Sequence, residues 1–177
     1  MRRTSFADVD CSIAQTLEVV GEWWTLLILR DAFQGVRRFE DFQRDLGIAR
    51  NVLTQRLARL VDEQILERQR YQTQPERFEY RLTDKGLELY PVLISLMRWG
   101  DRWAVGRAGP PVLLTHKACG HEGLPVLTCA GCGEEVEARR MSFRRRERRD
   151  GAASSRGRPS GARAAASRAR RSQKMGV

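Results

Sequence analysis

The sequence predicts a mainly α-helical fold carrying one small β-hairpin, on three observations. Apolar residues recur at helical spacing from residue 11 to about residue 64. The period then drops to two over residues 65–83, around a polar, Pro-containing turn. A strongly apolar stretch of helical character follows over residues 84–106. Recurrence at i, i+3 and i+4 marks a helix face and strict alternation marks a half-buried strand, so the two periods separate the elements.

Cys11 to Val20 reads as the first helix, with Ile13, Leu17 and Val20 as its apolar stripe. Ser12 and Gln15 stand at capping-box spacing, where a hydroxyl and an amide satisfy orphan backbone N–H groups. Gly21 interrupts the pattern. "EWWTLLILRDAF" (22–33) is nearly all apolar and predicts a central helix buried on every side, ended by Gly35. In "RRFEDFQRDLG" (37–47), Phe39, Phe42 and Leu46 keep helical spacing up to a terminal glycine. The stretch "GIARNVLTQRLARLVDEQIL" (47–66) follows at once, with Leu53, Leu57 and Leu60 on one side. Its other side carries Arg50, Asn51, Thr54, Gln55 and Arg59. A short helix, a tight glycine-containing turn and a second helix form a helix-turn-helix pattern.

In "ILERQRYQTQPERFEYRLT" (65–83), Leu66, Arg68 and Arg70 alternate with Glu67, Gln69 and Tyr71, and Phe78, Tyr80 and Leu82 alternate with Glu79 and Arg81. Two strands around "QTQPER" make a hairpin, and a hairpin directly after a helix-turn-helix is a wing. Thr83 is the expected N-cap of the next helix. Pro91 lies near the middle of residues 84–106, so either one helix kinks or two helices abut. Leu87, Tyr90, Leu93, Ile94, Met97 and Trp103 offer more apolar surface than a small domain buries by itself. This terminal helix is therefore expected to pair with its copy in a second chain.

The chain therefore divides into an N-terminal arm (1–10), a winged helix-turn-helix domain for DNA binding and dimerisation (11–106), a small Cys/His ribbon-like unit (107–138) and an Arg-rich tail (139–177) expected to be disordered. The net charge of +10 belongs to the tail, which holds 13 Arg and one Lys against Glu147 and Asp150. Residues 1–138 hold 18 basic and 20 acidic side chains, a balance of −2. Any DNA-binding argument must rest on where charges stand rather than on their sum. The absence of an apolar signal segment at the start and of any run of 18 apolar residues predicts a cytoplasmic, nucleoid-associated protein with no membrane span.

With these residues in hand, the chain resembles the HxlR-type winged helix-turn-helix transcriptional regulators over roughly residues 11–103. The motifs agree in order: a cysteine opening the first helix, "WTLLILR" in the second, "RRFEDF" before the turn, "LTQRLARL" in the helix after it and "EYRLTDKG" leaving the wing. The resemblance implies a bacterial, dimeric, DNA-binding regulator without enzymatic activity. Two features depart from it. "GIARN" lacks the Ser or Thr cap common at this turn, and the chain runs well past the usual domain end.

In this setting the helix at about 50–63 is the expected recognition helix, since the second helix of the motif lies in the major groove with its first turns at base edges. Arg50, Asn51, Thr54, Gln55 and Arg59 are the candidate readers; Arg suits guanine, and Asn or Gln suits adenine. Arg56 is assigned to phosphate or to solvent. Arg37 and Arg38 are expected on backbone phosphates, which orient without reading sequence. Gln72, Gln74 and Arg77 lie at the tip of the wing (about 66–82), with Arg77 as its candidate DNA contact. The function expected is operator binding as a homodimer through the first and last helices of the winged domain, repressing transcription and responding to redox or ligand signals.

Four cysteines carry further expectations. Cys11 opens the first helix, where a helix N-terminus favours thiolate; some members of the resembled family sense oxidants or electrophiles with a thiol at this place, while the plainer reading is a small buried hydrophobe. Cys119, His121, Cys129 and Cys132 form "CGH" and "CAGCG" seven residues apart, a pattern that predicts a small structural Zn2+ ribbon. His116 is an alternative fourth ligand, and a Cys129–Cys132 disulfide is the rival reading. Four protein ligands close a zinc site to catalysis, and two histidines leave no nucleophile–base pair, so no enzyme is expected. The competing function is a nucleic-acid- or protein-interaction module acting through the ribbon and the tail.

Overall fold

A computed structural model of the chain describes residues 5–106 and 109–144. Two compact units divide between Leu127 and Thr128, inside the segment that the sequence marks as one ribbon-like unit. In the first unit the elements run α1 (Ser12–Val20), α2 (Trp23–Phe33), α3 (Phe39–Leu46), α4 (Arg50–Asp62), β1 (Leu66–Thr73), β2 (Glu76–Leu82), α5 (Asp84–Leu87) and α6 (Tyr90–Trp103).

Cys11 is the N-cap of α1 but makes no capping hydrogen bond through its side chain. The expected Ser12–Gln15 capping box does not form. Gln15 Nε2 donates instead to the carbonyl oxygens of Phe6, Ala7 and Val9, at 3.1, 2.9 and 2.9 Å. Residues 6–9 bring three acceptors to one amide, and this outweighs the single backbone bond of a box. The result ties the N-terminal arm to α1.

α2 packs against α3, α4, α6 and β2. Ile28 and Leu29 are fully buried, yet Trp23 is 85% exposed. The expectation of burial on every side fails at this first turn, which its neighbours do not cover. The core joins Ile28 and Leu29 to Phe42 of α3, to Leu53, Leu57 and Leu60 of α4, and to Ile65 and Leu66 entering β1. Each such side chain contributes roughly 1.5–3 kcal/mol by leaving water, so α4 is anchored along its whole apolar stripe. The turn before α4 depends on Gly47, which closes α3 at φ 61° with its N–H donating to Gln43 O; only glycine adopts this left-handed cap without penalty. Ala49 is the N-cap of α4 and offers no side-chain bond.

β1 and β2 pair antiparallel, with Leu66 opposite Leu82, Arg68 opposite Tyr80 and Arg70 opposite Phe78. The register shifts between Arg70 and Gln72, leaving Tyr71 as the extra residue of a bulge. A third backbone segment joins the wing: Arg38 bridges Glu79, and Tyr80 N donates to Arg37 O at 2.8 Å. Thr83 caps α5, its Oγ1 accepting from Gly86 N at 3.1 Å and donating to Gln64 O at 2.7 Å. The stretch 84–106 is two helices rather than one. Pro91 falls at the first turn of α6, where its missing N–H has no helical partner to lose.

Later in the first unit, Thr115 bridges Glu122 and closes a loop. In the second unit Thr128 bridges Glu135 around a similar loop, and a 3-10 turn follows at Ala138–Arg140. Residues 145–177 of the expected disordered tail lie outside the described residues. Among the described residues no helix is long and apolar enough to cross a membrane.

Candidate nucleic-acid interface and the Cys/His loops

The two sides of α4 separate cleanly in its first half. Leu53 and Leu57 are buried, while Arg50, Asn51, Thr54 and Gln55 are exposed. Burial of the leucines fixes the rotation of the helix about its axis, and 100° per residue then sends these four polar side chains outward. The Thr54 hydroxyl donates to Arg50 O at 2.8 Å, which holds its rotamer. The Arg50 guanidinium lies over the Phe39 ring at 4.9 Å, a contact that braces the arginine against α3.

Further along α4 the arginines turn inward. Arg59, expected among the readers, directs its guanidinium to α1 and donates to Glu18 O at 2.6 Å, with Glu63 at 4.0 Å. Arg56, expected on phosphate or in solvent, forms an ion pair with Glu22 at 3.2 Å and is mostly buried. Both bind α4 to the helices behind it.

Arg37 and Arg38 are exposed and stand beside the wing through their backbone contacts with β2. The Arg38 guanidinium rests on the Tyr71 ring at 4.7 Å. An open recess of about 410 Å³ next to them is lined by Arg37, Arg38 and Arg44 but also by Asp41, Asp45 and Glu79. Arg44 is occupied by Asp45 and Asp41, at 3.0 and 2.9 Å, and these two carboxylates raise its pKa. At the wing tip Arg77 is exposed and sits opposite Gln72. Lower in the wing Arg68 stacks on Phe78 at 3.4 Å. Half-burial pushes the Tyr80 hydroxyl above its usual pKa, against the pull of Arg68. The structure thus brings Arg50, Asn51, Thr54 and Gln55 together on one outward face, keeps Arg37, Arg38 and Arg77 exposed on and beside the wing, and removes Arg59.

Cys11 is exposed rather than a buried hydrophobe. The other three cysteines are free thiols and exposed, so the structure contains no Cys129–Cys132 disulfide. The Cys129 thiol is held below its usual pKa, first by the backbone N–H groups of Cys132 and Gly131 and then by the Cys132 thiol. In the first unit His116 Nδ1 lies 3.1 Å from Cys119 Sγ. Among the described residues no three His, Cys, Asp or Glu side chains stand together as a metal cluster; each loop brings a pair together, His116 with Cys119 and Cys129 with Cys132. The sequence reading passed over the signal behind this pairing: "LTHKACGHE" (114–122) is repeated thirteen residues later as "LTCAGCGEE" (127–135).

Residues 19–107 match the HxlR-like helix-turn-helix family. The chain is 48% identical over 131 residues to the uncharacterized HTH-type transcriptional regulator Rv3095 of Mycobacterium tuberculosis, covering 74% of this chain and 83% of the relative. A match of that length cannot be contained in residues 11–106, so it takes in part of the Cys/His segment. The relative sll1512 of Synechocystis, another HTH-type regulator by name, is 36% identical over 94 residues, covering 52% of this chain and 70% of that one. Among solved structures, PA1607, named as a candidate transcription factor, superposes with a TM-score of 0.72 at 34% identity, over 81% of this chain and all of the other. PA1374 of Pseudomonas aeruginosa, named likewise, gives a TM-score of 0.55 at 40% identity, over 76% and 92%. The matched segment holds the turn at Gly47, the outward face of α4 and the wing, and by these the chain belongs to the HxlR-like helix-turn-helix family.

Proposed function

We propose that this chain is a sequence-specific DNA-binding transcriptional regulator that occupies operator DNA as a homodimer. The N-terminal turns of α4 enter the major groove, and Arg37, Arg38 and Arg77 hold the flanking backbone. One observation carries the reading: Arg50, Asn51, Thr54 and Gln55 are all exposed on the face opposite Leu53 and Leu57. A merely solvated helix has no need of a guanidinium, two amide-type groups and a hydroxyl gathered in its first two turns, and these groups match base edges.

Pairing of two chains is supported by apolar side chains left uncovered on α1 and α6: Ile13, Leu17, Leu96, Trp99 and Trp103 are all exposed. Occupancy of an operator that overlaps a promoter would repress transcription. Cys11 begins α1, beside that apolar surface, so its oxidation would act on the pairing of chains and through it on the spacing of the two reading helices.

Genome-wide mapping of bound DNA followed by titration of the selected site tests the reading. Arg50→Ala, Asn51→Ala and Gln55→Ala are each expected to weaken the selected site by about 5- to 150-fold, the equivalent of roughly 1–3 kcal/mol per bidentate base contact. Selectivity should relax at one base position per variant, with unfolding unchanged. If all three keep wild-type affinity and selectivity, α4 does not read DNA.

A further inference from the structure

The two Cys/His loops repeat each other in backbone as well as in sequence. Thr115 bridges Glu122, as Thr128 bridges Glu135. His116 N donates to His121 O at 2.8 Å, as Cys129 N donates to Glu134 O at 2.8 Å. Gly120 N donates to His116 O at 2.8 Å, as Gly133 N donates to Cys129 O at 2.8 Å. Gly120 and Gly133 share a left-handed conformation, at φ 71° and 74°. Each loop is therefore a knuckle with the same turn, and position answers to position: His116 to Cys129, Cys119 to Cys132, and His121 to Glu134.

We propose that His116 and Cys119 are the zinc-binding pair of the first knuckle, as Cys129 and Cys132 are of the second, and that His121 is not a ligand. Both pairs have the two-residue spacing of metal knuckles. His116 Nδ1 already faces Cys119 Sγ at 3.1 Å. An imidazole and a thiolate sharing a tetrahedral zinc, with legs of about 2.0–2.1 and 2.3 Å, stand roughly 3.6 Å apart, so the side chains need to part by only about half an ångström. His121 occupies the place where the second knuckle has Glu134, whose carboxylate is held by Arg140 at 2.5 Å. That place lies on the return limb of the loop, beyond the turn that gathers the donors. Thiolate and imidazole donors select zinc over magnesium or calcium. The assignment is made for each knuckle by itself, and binding releases a proton from each cysteine that becomes a thiolate.

The test is metal content and Co2+ spectroscopy of the full chain, purified under reducing conditions and loaded with Zn2+ or Co2+ alone. Wild type and His121→Ala are expected to retain the same zinc and to give the same tetrahedral Co2+ spectrum. His116→Ala should lose zinc to a competing chelator by more than the 10- to 100-fold that an outer-shell change costs. His116→Cys guards against simple misfolding: it should restore retention and strengthen the sulfur-to-cobalt absorption through the added thiolate. The inference is overturned if His121→Ala loses the metal while His116→Ala keeps it, or if the wild-type chain holds no zinc under these conditions.

Discussion

The Arg59 guanidinium of α4 donates a 2.6 Å hydrogen bond to the Glu18 carbonyl oxygen of α1, a residue 41 positions away in the chain. Glu18 lies in the last turn of α1, where carbonyls lack helical partners and the helix dipole favours a cation. The bond therefore caps α1 from outside and fixes the helix that carries the proposed DNA contacts to the helix that follows Cys11. Arg59→Ala is expected to lower stability by about 1.5–3 kcal/mol, the usual worth of a hydrogen bond to a charged group. Urea unfolding would measure it. Arg59→Ala should leave base selectivity unchanged, in contrast to Arg50→Ala; altered selectivity would return Arg59 to the reading face.

Gly86 tests the junction between wing and terminal helices. A Cβ added there would fall on the Ile65 carbonyl oxygen, with the Leu82 side chain at 3.1 Å. Ile65 O also accepts from Thr83 N at 3.1 Å, so it cannot retreat without loosening the cap of α5. Gly86→Ala should cost about 1–3 kcal/mol, as overpacked sites do, despite the better helix propensity of alanine. A thermal or urea transition at or above that of wild type would show that the junction is looser than the structure describes.

Trp99 is 64% exposed and Leu17 47% exposed, each on a helix proposed to meet its copy in a second chain. Leu17→Glu and Trp99→Glu bury a charge in any such contact and should raise the dimer dissociation constant by at least about tenfold, since an unpaired buried charge costs well over 1.4 kcal/mol. Light scattering across a dilution series reads this directly. Circular dichroism should be unchanged, because both side chains are exposed in the single chain. Undisturbed dimers in both variants would move the pairing surface elsewhere.

Much of the winged domain was legible in the residues themselves. The spacing of Leu53, Leu57 and Leu60 set the buried side of α4, Gly47 set the turn before it, and Thr83 set the cap after the wing. Each of these is a local rule: a period, a left-handed position, a hydroxyl ahead of a helix. The candidate site was legible only in its first turns. Arg50, Asn51, Thr54 and Gln55 lie opposite the buried stripe, so the period alone sends them outward. Arg56 and Arg59 lie at the edge of that stripe, where a long side chain reaches solvent or a neighbour equally well.

What the sequence by itself determined is which residues between 11 and 83 form helices and strands and which side of α4 is apolar, because burial periodicity and backbone sterics act over a few residues. Only the tertiary structure decided where the boundary arginines point, that Trp23 stays uncovered on an otherwise apolar helix, and that Gln15 holds the N-terminal arm instead of capping α1. Each of these depends on an acceptor or a covering element supplied from elsewhere in the fold, and the partner of Arg59 stands 41 residues away. A free energy set by such distant groups leaves no periodic trace in the sequence.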